Sequence, residues 1–162
     1  MAGRETPATR VARGAGVAVT VHEYVHDPAV AGHAAYGEEA AAALGVDAAR
    51  VFKTLVVEVA GSLAVGVVPV AGQLDLKAVA TALGAKHASM ADPVAAERST
   101  GYVRGGISPL GQRRRLRTVV DASAAGHSTV FVSAGRRGLE LEIAPDELIR
   151  LTGAVVAPVA RL

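Results

Sequence analysis

Three short stretches of this 162-residue chain combine residue types that can do chemistry. The first, His22-Glu23-Tyr24-Val25-His26, has the pattern H-E-x-x-H. On a helix, two such histidines lie one turn apart and share a zinc ion, with the glutamate as base. Here the pattern continues Val17, Val19 and Val21, whose alternation with Ala18 and Thr20 predicts a strand, and it runs into Asp27-Pro28. Residues four apart in a strand are about 13 Å apart. Two nitrogens on one zinc must lie within roughly 4 Å. No metal site is expected. The second stretch is Val51-Phe52-Lys53-Thr54-Leu55-Val56-Val57, an apolar strand pattern with a lysine inside it. Alternation puts Lys53 on the face of Val51, Leu55 and Val57. Such a lysine either guards a sheet edge or meets an anion or a carbonyl in a cavity, and spacing alone leaves both open. The third stretch, Arg98 to Gly111, places Gly101, Gly105, Gly106 and Gly111 within eleven positions. A loop so rich in glycine offers backbone N–H groups to a polar ligand, or it is a plain connecting turn.

Two further segments carry charge. Ser133-Ala134-Gly135-Arg136-Arg137-Gly138 follows a strand pattern and reads as a second backbone cradle or as a basic hairpin turn. Arg113-Arg114-Arg115, with Arg117, is the densest positive cluster and suits phosphates, although short runs of this kind are usually solvated surface. Composition excludes several chemistries. There is no cysteine, hence no thiolate nucleophile, disulfide or thiolate metal site. No G-x-S-x-G elbow and no P-loop occur. Aromatic residues make up 3 % of the chain, too few for a base-stacking platform. The formal net charge of +2 permits a nucleic-acid partner without demanding one. The most apolar run, Leu63 to Ala71, is about half of what a bilayer requires, and the arginines near the N-terminus flank no signal-peptide core. A cytoplasmic protein with no membrane and no DNA partner is expected.

The elements that must position these residues follow from local pattern. Thr6-Pro7 starts a short helix ending near Gly14 or Gly16. His33 to Leu44, closed by Gly45, is a helix. Val51 to Val59 and Leu63 to Val68 form a hairpin across Gly61-Ser62. Asp75 caps a helix over Leu76 to Leu83, and Asp92-Pro93 opens another ending near Gly101. Strands are expected at Thr118–Val120, Thr129–Ser133 and Leu139–Ile143, then a helix over Pro145 to Leu151 and a strand at Ala154–Val156. Without a strand–helix–strand rhythm, this is an α+β chain with a mixed sheet, read as one domain over residues 1–162.

Taken together, several of these segments resemble one family. They are Val51-Phe52-Lys53-Thr54-Leu55, Pro69-Val70-Ala71-Gly72-Gln73-Leu74-Asp75-Leu76, Met90-Ala91-Asp92-Pro93, Arg98-Ser99-Thr100-Gly101-Tyr102, Gly105-Gly106-Ile107-Ser108-Pro109-Leu110-Gly111 and Val132-Ser133-Ala134-Gly135-Arg136-Arg137-Gly138-Leu139. The chain is similar to the YbaK family of Cys-tRNA(Pro) deacylases, related to the editing domain of bacterial prolyl-tRNA synthetases. The resemblance implies a compact fold with a barrel-like mixed sheet and flanking helices. It implies trans-editing of cysteine mischarged on tRNA(Pro), with the substrate's own thiol attacking the ester and leaving a thiolactone, no cofactor, and prolyl-tRNA synthetase as partner. Lys53, Thr54, Gly105 and Ser133 are the implied catalytic residues. Tyr24, Tyr36, Gly106, Gly135 and Glu140 are the implied substrate-binding ones. Glu140 stands where relatives carry Asp, and His33-Ala34-Ala35 is a local lengthening before Tyr36. The competing expectations are a deacylase for another amino acid, such as Ala-tRNA(Pro), and a tRNA- or synthetase-binding module without turnover.

Overall fold

Valine-rich segments of this chain are buried on both faces, so helices must cover the sheet they form. The computed structural model describes residues 4–30 and 33–162, with the side chains of residues 33–35 outside that description, and the lengthening expected there lies outside it too. In chain order the elements are α1 (Pro7–Gly14), β1 (Thr20–Glu23), α2 (His33–Leu44), β2 (Phe52–Val59), β3 (Ser62–Pro69), β4 (Gln73–Leu74), α3 (Leu76–Ala82), β5 (Ala88–Met90), α4 (Pro93–Thr100), β6 (Arg117–Asp121), β7 (Val130–Arg136), β8 (Leu139–Ile143), α5 (Pro145–Thr152), β9 (Val155–Ala157) and β10 (Ala160–Arg161), with a 3-10 turn at Ala122–Gly126. The expected helices and principal strands are present. The first strand begins later than its valine alternation suggests. Val17 N–H still bonds back to the Ala12 carbonyl at the end of α1, and pairing with β8 starts only at Thr20.

The strands form three ladders. A mixed five-stranded sheet runs β5-β2-β3-β6-β9, an antiparallel three-stranded sheet runs β1-β8-β7, and β10 pairs with β4. The mixed sheet with flanking helices expected from the resemblance is present, and no closed barrel forms among the described residues. The two larger sheets touch at one parallel bridge, Val51 to Phe131, where Phe131 N–H donates to the Arg50 carbonyl at 2.9 Å. Beyond that bridge the two sheets have no further pairing among the described residues. On β2, Leu55, Val57 and Val59 face a cluster with Val79, Ala80 and Leu83 around α3. Phe52 faces the opposite cluster, with Val65, Val67, Leu139, Leu141 and Leu148. Period-two alternation between two covered faces explains why β2 and β3 read as continuous apolar runs.

Two local devices fix the ends of the chain. Thr6 caps α1 in a capping box with Thr9, and its hydroxyl also donates to the Ala134 carbonyl on β7. At the other end, Asp121 Oδ1 accepts from Val159 N–H and Ala160 N–H, both at 2.9 Å, and Oδ2 accepts from Ser123 N–H at 3.2 Å. Burial alone would raise the Asp121 pKa, but these bonds outweigh it and the carboxyl ends below its ordinary value of 3.8. Its contribution to stability is therefore complete above that value and is lost as pH falls through the folded pKa. Asp121→Ala, which strands two amide donors, is expected to cost about 2–4 kcal/mol at neutral pH. Urea melts of wild type and variant should converge as pH drops below 3.8, and a constant difference would count against this role.

Candidate active site

Where the sheets separate, a partly open cavity of about 50 Å³ lies beside the first half of β2. Lys53 and Thr54 enter it from β2, Ser133 and Glu140 from β7 and β8, Tyr24 from just after β1, Tyr36 from α2 and Gly105 from the loop after α4. Seven of the nine expected site residues therefore converge. The other two do not line the cavity. A Cβ on Gly106 would lie 2.7 Å from Arg136 Cα, and one on Gly135 would lie 2.9 Å from Tyr102 Cε1. Both glycines serve close packing between segments of the protein. The glycine loop, expected as a cradle or a turn, contributes Gly105 and the apolar Ile107 to the cavity wall.

Lys53 is half-buried and donates to the Gly72 carbonyl at 2.8 Å. The β5 ladder covers β2 at Val57–Val59, so at Lys53 only β3 is paired alongside. The edge position and the cavity are thus both real. Burial lowers the Lys53 pKa, and the Glu38 carboxylate partly offsets this. Lys53 is also the wall between this cavity and a broader, open cleft of about 430 Å³ lined by Glu38, Gly72, Gln73 and Arg161. Gly72 was not singled out as a site residue. Its missing side chain lets β10 come close, since a Cβ there would meet the Arg161 carbonyl at 2.8 Å.

Ser133 and Glu140 are direct cross-strand partners. The register shifts just after Ser133, and the Ser133 hydroxyl accepts from Gly135 N–H at 3.1 Å. Glu140 is 6 % exposed. Its carboxyl makes no hydrogen bond among the described residues, and burial pushes its pKa up to about 8, which favours the protonated form. Thr54 Oγ1 is buried and likewise has no hydrogen-bond partner among the described residues. Burial, then the neighbouring Glu140, pushes the Tyr24 phenol up to about 12, keeping it a proton donor. No histidine lines the cavity among the described residues. The two histidines of the H-E-x-x-H pattern have separate partners: His22 Nε2 lies 2.9 Å from Glu142 and His26 Nδ1 lies 2.7 Å from Glu39. Further cavity walls that sequence reading did not mark are Gly37, Ala40 and Phe52. Gly37, a glycine in an alanine-rich helix, was a readable signal: a Cβ there would lie 2.2 Å from Val70 Cγ1, so α2 packs unusually closely at this point.

The α+β scaffold thus brings lysine, hydroxyl, phenol and carboxyl groups together around one small cavity. Residues 31–151 match the model of the aminoacyl-tRNA editing domain, and the chain belongs to that family. It is 39 % identical over 123 residues, 75 % of each chain, to an Enterococcus faecalis protein named "Putative Cys-tRNA(Pro)/Cys-tRNA(Cys) deacylase EbsC". Among solved structures, hypothetical protein APE2540 superposes with a TM-score of 0.83 at 29 % identity, over 96 % of this chain and 100 % of that one. A protein described as "a putative trans-editing enzyme for prolyl tRNA synthetase" shares the fold, with a TM-score of 0.78 at 24 % identity over 98 % and 99 % of the two chains. No helix among the described residues is long and apolar enough to cross a membrane.

The buried Glu140 gives a pH-dependent expectation. The folded state holds its proton more tightly than an unfolded chain, whose carboxyl titrates near 4.5. This group therefore stabilises the fold below that value, and the contribution is lost as pH rises toward about 8. Glu140→Gln, which cannot ionise, is expected to match wild type near pH 4.5 and to melt at a higher temperature than wild type at pH 8. Parallel melting profiles across that range would show that the carboxyl is not held neutral.

Proposed function

We propose that this protein is a trans-editing deacylase that removes cysteine mischarged on tRNA(Pro), with the cysteinyl thiol as the nucleophile. The observation that carries the reading is the cavity's chemistry. Among the described residues, Lys53, Thr54 and Glu140 offer donors or a positive charge without competing protein partners beyond the Gly72 carbonyl, while nothing lining the cavity is an activated nucleophile. Unpaired buried polar groups are costly unless something occupies the site. A cavity of about 50 Å³ has room for a small side chain of a few heavy atoms, since one water needs roughly 10–15 Å³ on the same measure. Cysteine and alanine side chains are of that size.

In this reading the sulfur of the bound cysteinyl group attacks its own ester carbonyl. The new C–S bond forms, the carbonyl oxygen becomes an oxyanion facing Lys53 and the Gly105 backbone, and the C–O bond to the ribose breaks. The thiol proton ends on the departing ribose hydroxyl, and the product is a thiolactone that water opens to cysteine. Holding the thiol against the carbonyl supplies effective concentration, and aimed donors stabilise the oxyanion. Lys53 and Gly105 are the donors to that oxygen, Thr54 and Ser133 orient the ester, and Tyr24, Tyr36 and Glu140 shape the pocket around the amino acid. Gly106 and Gly135 act behind this surface by letting the loop and the β7–β8 hairpin approach. The terminal nucleotide lies in the open cleft beyond Lys53. The chain works as one cytoplasmic editing domain, without a cofactor, and takes its tRNA together with prolyl-tRNA synthetase.

Incubation with labelled Cys-tRNA(Pro) is expected to release label as a thiolactone or cysteine, and added synthetase should accelerate it. A 2-aminobutyryl ester, isosteric but without sulfur, should persist. Equal clearance of both would replace thiol attack with hydrolysis, and clearance of Ala-tRNA(Pro) instead would move the target to alanine. Lys53→Ala is expected to lower turnover by at least ~10²-fold with the fold intact, the size of effect seen when one oxyanion donor is lost. Near-normal turnover would remove Lys53 from the mechanism.

A further inference from the structure

Among the charged side chains outside the cavity, Arg137 makes an unusual set of contacts at its mouth. Its guanidinium lies over the Tyr36 ring, 4.6 Å from the centroid. Its Nη2 donates to the Arg104 carbonyl, the oxygen of the peptide that joins Arg104 to Gly105. Its Nε is buried with no hydrogen-bond partner among the described residues. A Cβ on Gly105 would come within 2.6 Å of that Nε and 2.7 Å of the Tyr36 ring. Gly105, at φ +84°, is therefore pressed between arginine and tyrosine in a conformation that only glycine takes readily.

The peptide one step earlier, Val103–Arg104, is tied down too, since Arg104 N–H donates to Glu97 Oε2 on α4 at 2.8 Å. A planar trans peptide points its carbonyl oxygen and its N–H in opposite directions. Fixing the Arg104 carbonyl therefore fixes the direction of Gly105 N–H. That N–H donates to no acceptor among the described residues, and Gly105 lines the cavity. Tyr36 is itself steadied from behind by His26, whose ring centroid is 5.7 Å away and whose Nδ1 is tied to Glu39 on α2.

We propose that Arg137 is a positioning residue: its fork and its stacking on Tyr36 clamp the Arg104–Gly105 peptide so that Gly105 N–H is aimed at the reacting acyl group. This rests on the deacylase reading, so the test has an arm that does not depend on it. The first arm is amide hydrogen exchange of the segment around Gly105 in wild type, Arg137→Ala and Arg137→Lys, with melting temperature as the fold control. Arg137→Lys keeps the charge but loses the planar fork. Both variants should exchange faster at this segment while β2 and β7 stay protected. The second arm is turnover of Cys-tRNA(Pro). Both variants should lose kcat by ~10²-fold, as for a misdirected oxyanion donor, with KM changed by less than about threefold. Added guanidinium should restore part of the activity of Arg137→Ala. Unchanged exchange, or kcat within about twofold of wild type in a folded variant, overturns the proposal, as does a loss confined to KM. If wild type clears no aminoacyl-tRNA at all, the deacylase reading fails, and the exchange arm alone decides whether the clamp exists.

Discussion

Keeping an ammonium group inside a valine sheet imposes a condition that much of this molecule serves. A charge out of water needs acceptors close at hand, and Lys53 finds one in the Gly72 carbonyl. That carbonyl depends on parts of the chain far away in sequence. Asp121 holds the amides of Val159 and Ala160, β10 pairs with β4, and the Arg161 carbonyl comes to rest against Gly72 because that residue has no side chain. A carboxylate at the end of β6 thereby helps to set the position of a lysine on β2. The C-terminal strand, two residues long, belongs to the site as much as β2 does.

Two glutamates on one face of β8 show how finely environment divides chemistry. Glu142 accepts from Thr129, pairs with His22 and lies 3.6 Å from Arg50. The Thr129 bond, reinforced by His22 and Arg50 against a smaller burial effect, holds its pKa below the usual carboxylate range. Glu140, two residues earlier and the cross-strand partner of His22, has no hydrogen bond or ion pair from these side chains among the described residues and is raised to about 8. One carboxyl is spent on ionic structure outside the cavity, and the other stays neutral within it, able to donate as well as accept. The difference comes from what surrounds each position. Arg50 and Thr129 converge on Glu142 beyond the bridge between the sheets, and nothing equivalent reaches the inner position.

This division explains what could be read from the chain and what could not. The valine alternation around Lys53 and the strand predicted into the H-E-x-x-H pattern rest on period and proline, which are local signals, although only His22 and Glu23 of that pattern fall within β1. The helix caps at Thr6, Asp75 and Asp92 were visible for the same reason. The strands β4, β5 and β10 escaped, since two or three residues carry no period and exist only through distant partners. Gly135 and Gly106 looked like ligand-facing residues. Nothing local distinguishes a glycine that admits a substrate from one that admits a neighbouring strand, and here Tyr102 and the Arg136 backbone occupy the space. The same ambiguity hid Gly72, whose neighbour Arg161 lies almost ninety residues further on.

The crowding of these glycines bears on mechanism. An enzyme that lends no attacking atom must gain its rate from where its dipoles point, and dipoles that reorient during the reaction lose most of that advantage. Around this cavity the backbone has little freedom to reorient. Gly105 is wedged against Tyr36 and Arg137, Gly106 against the β7–β8 hairpin, and Gly111 against the start of α1, each with less room than one methyl group needs. Tyr102 adds a tie within the loop, its hydroxyl donating to the Leu110 carbonyl at 2.7 Å. A loop without regular secondary structure thus acquires the rigidity of a packed core. In the mechanism proposed above, that close packing is what would let the Gly105 amide serve where other enzymes place a side chain.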